Sequence, residues 1–315
     1  MNPAWSVVFF TTLAGIGQGV VMALAAATLA HATLPPSLVV TALATALVLL
    51  VAALAASFLH LGRPERAWRA VLMWRTSWLS REVIVLPAFI ALVAAWLALH
   101  LWGQPGGLRD AVLPLLAIVA CLVLWYCTAM IYACIRFIQE WAHPLTLANY
   151  TLIGLSSGLV LFTALAWLAG ARHLVQPAAG WALALTVVAA VVRIVSIVRN
   201  SRLKPKSNLQ SATGIRNPQV TQKSMGMTGG SFNTREFMHG RTLAFVSQIK
   251  YFAIGAGFIV PAVLLLPALT AADGAARGAG LVLAVVVQSI GLLAERWYFF
   301  AQARHPQNLY YQVVS

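Results

Sequence analysis

The sequence predicts an all-α integral membrane protein in which eight transmembrane helices form one bundle. Of its 315 residues, 61% are hydrophobic and only 9% are charged, whereas soluble domains carry about 25% charged residues. So few charged groups cannot cover a water-facing surface of this size, and most of the chain must therefore lie in lipid. We expect a single membrane domain over residues 1–315.

Several apolar runs are long enough to cross a bilayer, which requires roughly 20 apolar residues in a helix. Backbone polar groups in lipid must pair within their own segment, so these runs are predicted to be helices. The first run has no basic segment before it, and we interpret it as a span and not as a cleaved signal peptide. The eight runs lie near residues 5–30, 36–60, 82–102, 108–138, 145–170, 178–200, 243–270 and 276–302.

The basic residues are distributed unevenly between the two sides that eight spans create. Both chain ends share one side, and 18 of the 21 lysines and arginines fall there; Arg109, Arg172 and Arg277 fall on the other side. Lysine and arginine collect on the cytoplasmic side of membrane proteins, so both termini are predicted to be cytoplasmic. The net charge of +14 is therefore interpreted as a topology signal, and no nucleic-acid partner is expected.

Two connections on the basic side are long. Residues 61–81 carry five arginines, and Pro64 suits the first turn of a short helix. Charged and apolar residues of that helix fall on opposite faces, which is typical of a helix lying at the lipid interface. Residues 201–242 form a polar loop rich in Ser, Thr, Asn, Gln and Gly. We interpret this loop as a docking surface for a soluble partner, with a flexible tether as the alternative.

The candidate functional residues are polar side chains at the cytoplasmic span ends, because ionisable groups in a membrane are costly and suggest function. His60 ends the second span, Arg63 follows it, and Glu82 begins the third span. Each has a simpler explanation. His60 can be an interfacial histidine without a role, Arg63 can meet lipid headgroups, and Glu82 can sit in a first helical turn capped by Ser80.

Gln18 is a further candidate, near the middle of the first span and between Gly15 and Gly19. The two glycines have the spacing that packs membrane helices closely, and Gln18 is then expected to make an interhelical hydrogen bond. We count only Gln18 and Gln288 as polar near mid-span, and neither ionises. A secondary transporter, the alternative function considered, would place its coupling residues at that depth.

His60, Arg63 and Glu82 together combine a proton-exchanging ring, a fixed cation and a carboxylate beside an apolar bundle. A lipid-soluble quinone needs an apolar slot for its tail, hydrogen-bond partners for its oxygens, and a proton acceptor for its quinol form. Histidine, with an ordinary pKa of about 6.5, can accept such a proton. We therefore predict a quinone site at these residues, and a purely structural anchor without one is the alternative.

No haem and no metal are expected in this chain. None of the seven histidines is mid-span, where facing haem ligands would lie. Cys121, Cys127 and Cys134 are six and seven residues apart, which matches no metal-binding pattern and indicates packing residues. No phosphate-loop, dinucleotide-binding or iron–sulfur pattern is present in the sequence.

Three segments carry a resemblance to a known family. They are "PAWSVVFFTTLAGIGQG" (3–19), "HLGRPERAWRAVLMWRTSWLSREV" (60–83) and "QKSMGMTGGSFNTREFMHG" (222–240). Together they resemble the membrane anchor subunit of the dimethyl sulfoxide reductase family, including the closely related anchor of cytoplasmic sulfite:quinone oxidoreductase. The number of spans and the chain length fit this family over the whole sequence.

The resemblance implies a bacterial inner-membrane subunit that binds an iron–sulfur electron-transfer subunit, which in turn binds a molybdenum-cofactor catalytic subunit. Such an anchor exchanges electrons with a quinone pool, menaquinone or ubiquinone, and members of the family run electrons in either direction. The chain is then a non-catalytic or quinone-reacting subunit of an oxidoreductase. The matching "HLG" and "LSREV" segments imply a quinone-site role for His60 and Glu82. The extension of this quinone-site role to Arg63 and Gln18 is our own inference.

Overall fold

The computed structural model describes residues 1–59, 61–103, 105–217, 219–220, 239–270, 274–306 and 309. Within these residues the regular structure is helical, and eight helices are long and apolar enough to cross a membrane. This confirms the predicted fold class, while the cytoplasmic orientation of the termini stays a prediction. The helices are α1 (Trp5–Leu29), α2 (Pro36–Phe58), α3 (Trp78–Leu101), α4 (Leu108–Ala133), α5 (Pro144–Leu168), α6 (Arg172–Ser201), α7 (Leu243–Leu269) and α8 (Ala275–Ala301).

Some helices begin well before the apolar run that predicted them. α3 begins at Trp78, and Ser77 caps it by accepting a hydrogen bond from the Ser80 backbone N–H at 3.3 Å. The expected cap at Ser80 is therefore wrong, and Glu82 lies beyond the first turn. α6 begins at Arg172, before the run at 178. Hydropathy marks only the lipid-buried part of a helix. At α3 the Ser77 cap sets the start, whereas Ala171 before α6 makes no side-chain cap hydrogen bond.

α1 packs against α2, α4, α5 and α8. Its contact with α5 is so close at Gly19 that a Cβ atom there would overlap the backbone of Gly154, and a Cβ on Gly158 would overlap the backbone of Gly19. A Cβ on Gly15 would instead lie 3.9 Å from the Gly154 Cα, an ordinary contact. The expected glycine-mediated packing is thus present, and it depends on Gly19 more than on Gly15.

Replacing Gly19 by alanine should destabilise the bundle, because the added methyl group forces α1 and α5 apart. Overpacking of a dense core costs about 1–3 kcal/mol, which exceeds the gain of about 1 kcal/mol that alanine brings to a helix. The thermal midpoint of the detergent-purified chain should fall for Gly19→Ala. The matched control, Gly15→Ala, should leave it equal or higher; equal losses in both variants would contradict this account of the contact.

A buried polar layer joins α5, α6, α7 and α8. Ser156 Oγ and Thr186 Oγ1 lie 2.7 Å apart, and Gln288 Nε2 donates to Ser156 Oγ at 3.1 Å. Gln288 Nε2 also lies 3.4 Å from the carbonyl oxygen of Gly257, within a π-helical turn of α7. Interhelical hydrogen bonds of this kind hold membrane helices together. Packing therefore accounts for Gln288, the second polar residue noted near mid-span.

The connection between α2 and α3 contains the helix expected at Pro64. It runs over Pro64–Met73, has 3₁₀ geometry and buries none of its residues. Arginines in this helix and just after it lie beside tryptophans: the guanidinium of Arg69 is 5.6 Å from the Trp68 ring centre, and that of Arg75 is 5.5 Å from the Trp74 ring centre. Exposed tryptophans and arginines are typical of a membrane interface. The interfacial position of this segment stays a prediction.

The long polar loop 201–242 is described only in part. It contains a short helix, Leu209–Thr213, which Asn208 caps through its side-chain oxygen. Residues 218 and 221–238 lie outside the described residues, and these include most of the "QKSMGMTGGSFNTREFMHG" segment. A docking role for this loop therefore remains a prediction.

Candidate functional site at the start of α3

Glu82 is a buried carboxylate between α3 and α4. It is the fifth residue of α3 and only 4% exposed. Thr128 of α4, which is also buried, donates a hydrogen bond from its hydroxyl to Glu82 Oε1. No acidic residue lies in the first turn of α3, so a favourable interaction with the start of the helix dipole does not explain Glu82. Its side chain is instead held across the interface by Thr128.

The second carboxylate oxygen, Oε2, is available for another contact. Among the described residues, the Glu82 side chain makes one hydrogen bond, from Thr128 to Oε1, and Oε2 has no described partner. An ionised carboxylate accepts several hydrogen bonds. Glu82 therefore has unused acceptor capacity between α3 and α4.

Aromatic and basic side chains lie beside Glu82. Trp78 is four residues earlier on α3 and so shares its face. Its ring packs edge-on against Tyr126 of α4, with 5.3 Å between ring centres, and the Arg81 guanidinium lies 4.0 Å from the Trp78 ring centre. Tyr126 is 43% exposed on a membrane-spanning helix, so it faces lipid. We call Trp78, Arg81, Glu82, Tyr126 and Thr128 the α3–α4 site.

Of the other predicted site residues, the structure describes Arg63 and Gln18. His60 lies outside the described residues. Arg63 is exposed in the connection, directly before the 3₁₀ helix. Among the described residues, no hydrogen bond or ion pair joins Arg63 to Glu82. The quinone-site role of His60 and Arg63 therefore stays a prediction.

Gln18 is buried deeper in the bundle. Its backbone carbonyl accepts a hydrogen bond from Cys121 Sγ of α4 at 3.4 Å. Cys121 precedes Thr128 by seven residues, or two helical turns, so Gln18 contacts α4 about 10 Å from the level of Glu82. Gln18 thus makes its interhelical hydrogen bond through its backbone carbonyl. Its side-chain amide oxygen, Oε1, has no described partner.

A second buried charged group lies between α6 and α8, and the sequence alone did not mark it as a cluster. Glu295 Oε1 is 2.7 Å from Arg193 Nε, and Glu295 Oε2 is 3.6 Å from Arg296 Nε. All three side chains are at most 3% exposed. The Arg296 guanidinium also lies 3.9 Å from the Tyr150 ring centre. Arginines at the ends of membrane helices commonly contact lipid headgroups. Arg193 and Arg296 are buried and do not.

The spacing of polar residues in α6 and α8 is a signal that could have revealed this cluster. Arg193 follows Thr186 by seven residues, and Glu295 follows Gln288 by seven. Seven residues are close to two helical turns, so each pair shares one helix face at levels about 10 Å apart. Two spans with polar residues in the same register are expected to face each other.

The chain is similar to known proteins over most or all of its length. The family model described as DMSO reductase anchor subunit (DmsC) matches residues 1–228. The chain belongs to the DMSO reductase anchor subunit family. The C subunit of sulfite dehydrogenase from Allochromatium vinosum is 47% identical over 330 residues, and the alignment covers 100% of both chains.

Membership in the DMSO reductase anchor subunit family confirms the resemblance seen in the sequence. The chain is a multi-pass membrane anchor subunit of an oxidoreductase, and the family implies catalytic and electron-transfer subunits as its partners. This favours the anchor interpretation over a secondary transporter. In the part of the chain that the structure describes, no group of three His, Cys, Asp or Glu side chains could hold a metal ion.

Proposed function

We propose that this anchor subunit binds a membrane quinone at the cytoplasmic ends of α2 and α3 and passes electrons between the quinone pool and an iron–sulfur subunit. The observation that carries the proposal is the buried Glu82, with one oxygen held by Thr128 and the other without a described partner. A carboxylate of this kind in an apolar bundle suits a ligand with an apolar tail and a hydrogen-bonding oxygen.

The residues of the α3–α4 site fit a quinone. Trp78 and Tyr126 offer aromatic surface on the lipid side, where a ligand dissolved in the bilayer arrives. Glu82 Oε2 offers an acceptor to a quinol hydroxyl. Gln18 and its unpartnered amide oxygen lie deeper in the bundle and can extend the polar contacts of a bound headgroup. In the sequence, His60 and Arg63 stand in the connection that leads into α3.

Proton transfer is the chemistry that this chain supplies. A bound quinone supplies the electron chemistry, and its oxidation or reduction requires protons to leave or arrive. Glu82 accepts a proton from a quinol hydroxyl or returns one to a quinone oxygen, according to the direction of electron flow. His60 serves as the second proton-exchanging group. Arg63 supplies a fixed positive charge near the same helix end.

We further propose that the soluble partners dock on the basic side, through loop 201–242 with help from residues 61–81. Electrons pass between the quinone and the iron–sulfur subunit, so both should lie on one side of the membrane. The molybdenum-cofactor subunit then binds to the iron–sulfur subunit. Because the Allochromatium vinosum relative belongs to a sulfite dehydrogenase, we propose sulfite oxidation, with electrons flowing into the quinone pool.

One purification tests the proposal. A tag on this chain, pulled from membranes in mild detergent, should recover two soluble subunits together with molybdenum, iron and extractable quinone. A structural anchor would recover the subunits and both metals without quinone, and a transporter would come out alone. Either result would contradict the proposed function.

A second arm of the same purification tests docking. Deleting Ser224–Asn233 should release the soluble subunits, molybdenum and iron, while the spans stay in the membrane and quinone is still recovered. Replacing the same ten residues by a Gly/Ser linker of equal length is the control for loop length, and it should also release them. Full retention of both metals in the two variants would show that docking lies elsewhere.

A further inference from the structure

Thr128 differs from other helical threonines of this chain in where its hydroxyl donates. Thr11, Thr163 and Thr186 each donate to the backbone carbonyl four residues earlier in their own helix, a common arrangement for a helical threonine. Thr128 donates across the interface to the Glu82 carboxylate. Because a carbonyl of its own helix is the usual acceptor, the contact with Glu82 is formed in place of the ordinary local bond.

A hydroxyl group is well suited to hold a carboxyl group that changes its protonation state. It donates one hydrogen bond and also accepts, because its oxygen has lone pairs. Thr128 donates to Oε1 when the carboxylate is ionised. When a proton is bound at Oε2, Oε1 is still an acceptor, so Thr128 can continue to donate to it. The orientation of the Glu82 side chain is thus preserved whether or not it carries the proton.

We propose that Thr128 is a positioning residue for proton transfer at Glu82, an inference that rests on the proposed function. By holding Oε1, Thr128 leaves Oε2 as the oxygen that meets the quinone. In quinol oxidation one of the two O–H bonds breaks and its proton forms a bond to Oε2, the proton of the other O–H passes to the second proton-exchanging group proposed above, and two electrons leave to the iron–sulfur subunit. In quinone reduction two electrons arrive from that subunit, one proton passes from Oε2 to one quinone oxygen, and the second proton-exchanging group supplies the proton for the other. Thr128 keeps its own proton throughout.

The experiment measures quinone-linked turnover of the whole complex with a soluble quinone analogue. Thr128→Val keeps the shape of the side chain and removes the hydroxyl, and we expect kcat to fall about 10–100-fold with KM little changed, since misplacement of a reacting group typically costs up to about 10²-fold. Thr128→Ser restores a hydroxyl and should recover most of the rate. Thr163→Val removes a buried hydroxyl that bonds its own helix and should have no effect.

A double-variant cycle separates positioning from a general structural role. If Thr128 acts through Glu82, Thr128→Val should cause no further loss in a chain that already carries Glu82→Gln. An equal loss in both backgrounds would overturn the inference, and so would a normal rate for Thr128→Val beside a slow Glu82→Gln. A normal rate for Glu82→Gln would instead overturn the role of Glu82 in the proposed quinone site, so the two failures are distinguishable.

Discussion

Replacing Glu82 with glutamine should slow quinone-linked turnover by about 10²–10⁴-fold, the range typical for loss of a positioned proton acceptor or donor. Glutamine has nearly the same shape and can still accept a hydrogen bond from Thr128. It cannot take up a proton at neutral pH, so only the proton-transfer step is removed. His60→Ala should slow turnover in the same way if His60 exchanges the second proton. The measurement is the steady-state rate with a quinone analogue in purified complex.

Two controls make this result specific to the site. Glu65→Gln removes an exposed carboxylate from the neighbouring 3₁₀ helix and should leave the rate unchanged. Activity of the catalytic subunit with an artificial dye, which bypasses the anchor, should be normal in all three variants. If Glu82→Gln and His60→Ala keep normal quinone-linked rates, the quinone site lies elsewhere and Glu82 serves only to join α3 to α4.

The fold could be predicted from composition because lipid imposes a simple length requirement on apolar runs. The eight runs correspond to α1–α8, and the largest error is at the start of α6, where Arg172 precedes the apolar run. Helix ends are set by hydrogen bonds of a few residues. Ser77 shows this for α3, since its cap lies outside the apolar run that predicted the helix.

The candidate site could be predicted only in part. Glu82 was recognisable because a carboxylate stood at the edge of an apolar run. Thr128 carries no such signal, since a threonine in a span ordinarily bonds its own helix. Its contact with Glu82 depends on how α3 and α4 pack, which periodicity in one helix does not determine. Arg193 and Arg296 were counted as basic-side residues, although their pairing with Glu295 buries them.

The buried charged cluster of Arg193, Glu295 and Arg296 between α6 and α8 is expected to stabilise the protein. Glu295 lies between two guanidinium groups, and all three side chains are almost fully buried. Replacing Glu295 with glutamine leaves Arg193 and Arg296 without a carboxylate in the interior. Removing one partner from a buried ion pair typically costs about 3–5 kcal/mol, because the remaining charge is uncompensated. The thermal midpoint of the detergent-purified chain should therefore fall strongly for Glu295→Gln.

A double variant tests whether charge is the cause of this loss. Arg193→Met together with Glu295→Gln removes one positive and one negative charge, so the cluster keeps the net charge that it has in the native chain. Methionine fills much of the volume of the arginine stem, and replacing a buried ion pair by apolar groups is often nearly neutral. The double variant should therefore be more stable than Glu295→Gln alone, although it carries one substitution more. Equal midpoints for Glu295→Gln and the native chain would show that the cluster contributes no stability. A double variant less stable than Glu295→Gln would show that Arg193 acts through packing and not through its charge.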